Sequence, residues 1–246
     1  MNTLILSTKN EFYKLISKKK YLIILIIGAI VCACRVGGTL LISKASHGMV
    51  NIKSNIVMEM LPLCTDILIP LIVFMAVTDL FASEVQEDNI KAALLCPVSR
   101  FKVMTSKAAA VLMLSVVYIA AYFTVCALFW SLSGTKFPVL HTAAAYLIDI
   151  VPVTALIFMA VLINMIAKSP SLAMLLCIGI YAVFKYMNYF VAPFGQLIFT
   201  AYSQWHKLWL GEMLPMSAIL SKVGILFGSI LTLYTISYII FDRKDF

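Results

Sequence analysis

Residues able to do chemistry are few in this chain and unevenly placed. The stretch DLFASEVQEDNIKAALLCPVSRFKVMTSK, Asp79 to Lys107, holds the acids Asp79, Glu84, Glu87 and Asp88 and the bases Lys91, Arg100, Lys102 and Lys107. Read as a helix, Glu84, Glu87, Asp88 and Lys91 fall at i, i+3, i+4 and i+7, on one charged face. Glu87 and Lys91 stand in the favourable order for an ion pair one turn apart. Pro97 must end that helix, because it cannot continue the hydrogen-bond ladder. The chemistry of such a face is pairing with a partner's charges, not bond making. Five more ionisable residues, Arg35, Asp66, Asp149, Lys185 and Lys222, lie inside long apolar runs. Cysteines at 32, 34, 64, 96, 126 and 177 also fall mostly in apolar runs and read as small core residues. The CxC pair Cys32 and Cys34 has no second ligand pair nearby, and His47, His141 and His206 are scattered, so no metal site is expected. No GxxxxGK[ST] phosphate loop, HExxH or GxGD motif is present. The chain is therefore not expected to be an enzyme or to hold a cofactor of its own.

The elements that position these residues follow from composition. The chain has 246 residues, of which 63% are hydrophobic and only 12% charged, and its mean hydropathy is +1.01. A soluble fold has too little surface to hide that much apolar side chain, so the reading is an integral membrane protein. Six apolar runs are long enough to cross a bilayer as helices: 21–43, 61–82, 108–132, 142–167, 172–194 and 217–241. They lack the short alternation of barrel strands. With the N-terminus placed inside, the inner segments carry twelve Lys and Arg and the outer segments four (Lys44, Lys53, Lys136 and Lys207). That bias puts both termini and the Asp79–Lys107 segment in the cytoplasm. It also accounts for the net charge of +8 without a nucleic-acid partner. No cleavable signal peptide is evident.

Residues 1–20 form an entrance segment with Asn10, Lys14, Ser17 and Lys18 on one helical face and Phe12, Leu15 and Ile16 on another. Such a helix lies in the interface plane with its lysines toward anionic headgroups. Residues 195–215, placed outside, are apolar and repeat Tyr202, Trp205 and Trp209 at helical spacing. They read as short re-entrant or interface-lying helices, with Gly211 and Pro215 as breakers. Among the buried charges, Asp149 is expected to pair with Lys185 and Arg35 with Asp66. Such pairs either hold helices together or line a substrate path. Lys222 is expected to snorkel to the outer interface.

The residues Glu84, Glu87, Leu94, Leu95, Pro97, Val98, Ser99, Arg100 and Lys107 resemble the signature of ABC export permeases of the second type, the type V fold. The basic entrance, the six spans and the tail FDRKDF extend the resemblance over the whole chain, as one permease domain, 1–246. Asn89-Ile90 departs from the Gly-Thr often found in that family. The resemblance implies an all-α membrane protein whose segment 83–100 is a coupling helix. Glu84, Glu87, Asp88, Lys91, Leu94, Leu95, Pro97 and Arg100 would then contact a cytoplasmic ATP-binding subunit, which would hold ATP and Mg. It implies pairing with a second permease subunit, identical or related. It also implies extracellular half-helices between the last two spans, where Tyr202, Trp205 and Trp209 are read as a gate, while Arg35, Asp66, Asp149 and Lys185 are read from their depth as path-lining or helix-pairing residues. The expected role is the permease of an ATP-driven exporter in a bacterial cell membrane. The expected cargo is an amphipathic or hydrophobic substrate, above all antimicrobial or cytolytic peptides. The alternatives are export of a lipid-like drug or ion, and a secondary transporter coupled to ions through the intramembrane Asp and Lys; no convincing inverted repeat supports the latter.

Overall fold

A computed structural model describes residues 2–45, 55–87, 99–132, 138–190, 197–211 and 215–244. Of the expected coupling residues, Asp88, Lys91, Leu94, Leu95 and Pro97 lie outside the described residues. So do 195–196 and 212–214 of the outer segment. Everything regular among the described residues is helical, and six helices are long and apolar enough to cross a membrane.

The entrance helix α1 is Asn2–Ile16. The first span, α2, is Lys19–Ala45. The second, α3, is Ile56–Gln86, and the third, α4, is Arg100–Ser131. The fourth, α5, is Val139–Ile166, and the fifth, α6, is Pro170–Phe190. A 3-10 turn at Phe199–Tyr202 and a short helix α7, His206–Leu210, precede the sixth span, α8, Met216–Arg243.

Two spans carry backbone defects that prolines cause. In α3 the stretch Cys64–Leu68 is a π turn, followed by Pro70. Pro70 has no N–H to give the carbonyl of Asp66 four residues back. The Tyr181 hydroxyl on α6 donates to that carbonyl instead, at 3.0 Å. In α5 the helix breaks at Asp149, where ψ relaxes to −3°, and Pro152 follows one turn later. Each defect thus brings an acidic side chain and a neighbouring segment together.

The six spans are not equivalent. In the apolar windows of α3 and α5, 61% of residues are buried, against 17% in α2 and 11% in α6 and α8. The second and fourth spans therefore form the centre, and the first, fifth and sixth present most of their surface outward. The lower part of α5 packs on α8, α3, α4 and α6. Helix α1 packs mainly on α4, with Thr8 and Leu15 inward and Ile5, Leu6 and Tyr13 outward. Leu15 is buried and Phe12 half-buried as the pattern requires, but Ile16 is exposed.

The charged segment departs from the sequence reading in one respect. The pattern separates a second span ending at 82 from a helix over 83–95. In the structure α3 runs on through a single irregular residue, Phe81, to Gln86, and Glu87 caps it. Glu84 therefore rides the last turn of a span helix. Cys32, Cys64, Cys126 and Cys177 are buried core residues and Cys34 is exposed, all as free thiols. Among the described residues no group of His, Cys, Asp or Glu is placed to hold a metal.

Helix α2 packs tightly on α4 at Gly28, where a methyl group would overlap the Tyr122 ring. Gly179 on α6 faces open space. Gly28→Ala should therefore destabilise the protein by about 1–3 kcal/mol, the usual cost of overpacking. Gly179→Ala should be neutral or slightly stabilising, because alanine is the better helix former. Denaturant titration in mixed micelles measures both, and equal effects would refute the α2–α4 contact.

Candidate functional site

Two polar clusters stand at opposite ends of this apolar bundle. The first joins α1, the end of α3 and the start of α4. Lys107 sits seven residues into α4 and its side chain is fully buried. Its Nζ lies 2.7 Å from Glu84 Oε2 and 3.0 Å from Glu11 Oε1. Glu84, almost as deeply buried, accepts a second bond from Lys14 of α1 at 2.5 Å. Burial by itself would lower the Lys14 pKa, but the hydrogen bond and charge of Glu84 hold it above the ordinary lysine value. One turn of α3 away, Asp79 accepts from Lys20 at 2.6 Å, Lys18 at 3.1 Å and the Tyr21 hydroxyl at 2.9 Å. Four lysines, three carboxylates and a tyrosine thus fasten the entrance helix and the start of α2 to α3 and α4.

Arg100 makes a second fastening at the same end. Its guanidinium donates to the backbone carbonyls of Phe241, Asp242 and Lys244, at 3.4, 2.5 and 3.1 Å. These are orphan acceptors at the C-terminus of α8, where a cation is also favoured by the helix dipole. Lys244 in turn donates to the carbonyl of Met165 near the end of α5, at 2.9 Å.

The expected coupling residues divide accordingly. Glu84 and Arg100 were read from the sequence as partner-facing, but both are spent on contacts within the chain. The reason is helix phase for Glu84, whose turn of α3 points at Lys107, and the carbonyls of α8 for Arg100. Glu87 is exposed at the end of α3. Asp88, Lys91, Leu94, Leu95 and Pro97 lie between the two anchors, outside the described residues. The expectation that the entrance lysines serve headgroups is also corrected for Lys14, Lys18 and Lys20, which hold Glu84 and Asp79. Lys9 alone among the lysines of α1 points away, over the Tyr13 ring. No sequence pattern marked Glu11, because its partner lies 96 positions along the chain.

The second cluster, at the other end, corrects both expected pairs. Lys185 of α6 pairs with Asp66 of α3 at 2.6 Å and donates to Ser203 at 2.7 Å. It does not pair with Asp149. Fully buried Asp149 instead accepts from the backbone N–H of His206 at 2.6 Å, and the His206 ring Nδ1 lies 2.8 Å from its other oxygen. Arg35, expected to meet Asp66, is exposed on α2. The physical reason is the pair of proline-linked defects. The π turn aims Asp66 at α6, and the break at Asp149 lets its carboxylate cap the first turn of α7. His206, one of three scattered histidines, had no sequence signal linking it to Asp149.

The three outer aromatics separate as well. Trp205 is buried, Tyr202 is half-buried and meets it edge-on with ring centroids 6.1 Å apart, and Trp209 is 54% exposed. Thr65, Asp149, Tyr181 and Ser203 line a cavity of about 20 Å³ between α3, α5 and α6. That is room for one or two waters and no more.

A family model described as ABC-2 family transporter protein matches residues 7–185. No curated protein matches the chain. The matched stretch runs from the entrance helix to Lys185 and so includes both clusters.

Glu84→Gln should cost about 3 kcal/mol or more, because Lys107 is left buried with one carboxylate. Lys107→Met added to Glu84→Gln should recover part of that loss, and simple addition of the two effects would sink the buried pair. At the other end, Asp66→Asn and Lys185→Gln should be non-additive by about 0.5–3 kcal/mol in a double-mutant cycle. The cycle between Asp149→Asn and Lys185→Gln should show the smaller coupling.

Proposed function

The chain belongs to the ABC-2 family of transporter proteins, and from that premise we propose that it is the membrane subunit of an ATP-driven exporter of amphipathic peptides. The observation that carries the reading is the match over residues 7–185 in a chain with six apolar helices and no phosphate-binding loop. A multi-pass permease of this family implies that the energy comes from an ATP-binding partner. ATP and Mg would be held there, and this chain would do no covalent chemistry.

The contact with that partner would lie between the two anchors. Glu84 holds one end of the 88–98 segment to α1 and α4, and Arg100 holds the other to the end of α8. A push on Asp88, Lys91 or the Leu94–Pro97 stretch would then be delivered to both sides of the bundle. Helix α1, tied to Glu84 through Lys14, would move with it. On this reading both termini face the cytoplasm, in the plasma membrane of a bacterial cell.

Two features support a path between two subunits. The cavity among the inner helices, about 20 Å³, is far too small for a peptide. Arg35 is exposed midway along α2, one of the least covered spans. An arginine facing lipid at that depth costs about 2.5–3.5 kcal/mol or more, whereas one facing a second subunit or a wet path does not. The apolar outer surfaces of α2, α6 and α8 suit an amphipathic cargo. The paired states of Asp66 with Lys185 and Asp149 with His206 leave less reason to assign ion coupling to them.

The test is co-expression with an ATP-binding subunit and reconstitution of the complex in vesicles. Cationic amphipathic peptides should raise its ATPase rate. Asp88→Lys or Lys91→Glu should lower that stimulation about tenfold or more, as expected for loss of a charge-matched contact, without shifting the melting temperature of the permease. Failure of any ATPase to associate, or association and stimulation untouched by both charge reversals, would defeat the coupling reading. Stimulation by a lipid-like drug but by no peptide would replace the cargo and keep the exporter.

A further inference from the structure

A cavity of about 360 Å³ opens between α6, α8 and the segment that carries the outer aromatics. Three lysines from three different elements converge on it: Lys185, Lys207 and Lys222. Tyr202, Ser203 and Trp205 complete its wall. Lys185 is already neutralised by Asp66 at 2.6 Å. Among the described residues, Lys207 and Lys222 form no ion pair. Among the described residues the cavity thus holds two lysines outside any ion pair beside a hydroxyl donor, although Lys207 also lines the adjoining cleft that Glu59 enters.

Its depth suits one kind of ligand. Helix α8 has 28 residues, so it is about 42 Å long at 1.5 Å per residue, against a hydrocarbon core of about 30 Å. Shared equally, the overhang is about 6 Å at each end. Lys222 stands six residues after Met216, about 9 Å along the helix and close to the hydrocarbon boundary. A lysine there reaches out to the phosphate level. Beside the cavity, Val183 on α6 and Leu220 on α8 are 63% and 72% exposed. Val183, two residues to the membrane side of Lys185, and Leu220, level with the start of α8, offer apolar surface to a lipid at this end. Exposed Trp209, on the same short helix as Lys207, is of the type that settles at the headgroup region.

We propose that this cavity is a binding site for the phosphate of an anionic membrane lipid, held by Lys207 and Lys222 with Lys185 and Ser203 behind them. A chance cluster of flanking lysines would sit on a convex surface and bind no headgroup in particular. Here the positive charge lines a concave site between two outward-facing spans. The lipid would bridge α6, α8 and the α7 segment. It would therefore brace the side of the molecule where α7 is otherwise fastened by the Asp149–His206 contact.

The experiment uses the full chain purified in a neutral detergent. Binding of a short-chain fluorescent phosphatidylglycerol is measured against the same probe with a phosphatidylcholine headgroup, and again with inorganic phosphate as competitor. Phosphatidylglycerol should bind in preference. The Lys207→Gln, Lys222→Gln double variant should weaken it roughly 30-fold, two surface charges' worth, with an unchanged melting temperature. The Lys207→Arg, Lys222→Arg variant should restore most of the binding. Equal binding of both headgroups, or undiminished binding by the Gln variant, overturns the site. Full displacement by equimolar inorganic phosphate overturns the lipid assignment and gives the cavity to a free anion. None of these outcomes bears on ATPase coupling, so the site and the exporter reading fail separately.

Discussion

An ammonium group buried without water has to be matched by carboxylates, and in this protein that demand organises a whole end of the molecule. Lys107 has no exposure, and its two carboxylates come from elements far apart in sequence, Glu11 in the entrance helix and Glu84 at the end of the second span. Burying any one of these charges alone costs several kcal/mol. The three elements are therefore held in one arrangement, because sliding α1 along α4 or unwinding the last turn of α3 strands a charge. Lys14 extends the network outward, and Asp79 repeats the device one turn further along with Lys18, Lys20 and Tyr21. The entrance helix is thus built into the bundle. Its outward side chains, Ile5, Leu6 and Tyr13, are still those of a helix that meets lipid.

The opposite end uses a different device. There the acids sit where a proline has disturbed the helix: Asp66 in the π turn before Pro70, and Asp149 at the break before Pro152. A disturbed turn frees a carbonyl or turns a side chain out of phase, and a neighbouring segment fills the gap. Tyr181 takes the freed carbonyl of Asp66, Lys185 takes its carboxylate, and His206 takes Asp149. The result joins the inner spans α3 and α5 to the outer span α6 and to α7. Membrane helices tolerate such defects only where neighbours satisfy the freed groups, as here.

Both devices bear on the proposed transport role. In a permease driven by a separate ATPase, force has to enter at one end and change the shape of the other. Glu84 and Arg100 bracket the 88–98 segment with contacts to different helices, so a displacement between them would reach α1, α4 and α8 together. At the far end the α7 segment is seated by buried Phe199 and Trp205 as well as by the His206–Asp149 contact. The uncovered faces of α2, α6 and α8 leave room for a second subunit and for lipid.

Much of this was legible in the sequence. Apolar runs of about 20 residues can only be spans, so six helices, an amphipathic entrance and a charged segment ending at a proline were readable from composition and period. The family too was readable, from the residues between Glu84 and Lys107. Span ends were less so: α3 begins five residues earlier than the apolar run and continues past it, because polar residues such as Glu84 are admitted where a buried partner waits. What only the tertiary structure decided was pairing. Sequence shows that Asp66, Asp149, Lys185 and His206 exist, and depth along a helix can be counted. It does not show azimuth, and a π turn or a proline break rotates every later side chain. That rotation gave Lys185 to Asp66 and His206 to Asp149, and the same ignorance of helix phase hid the inward turn of Glu84. Hydrophobicity is a property of each residue and survives in the one-dimensional string. An ion pair is a property of two surfaces and comes into being only when they meet.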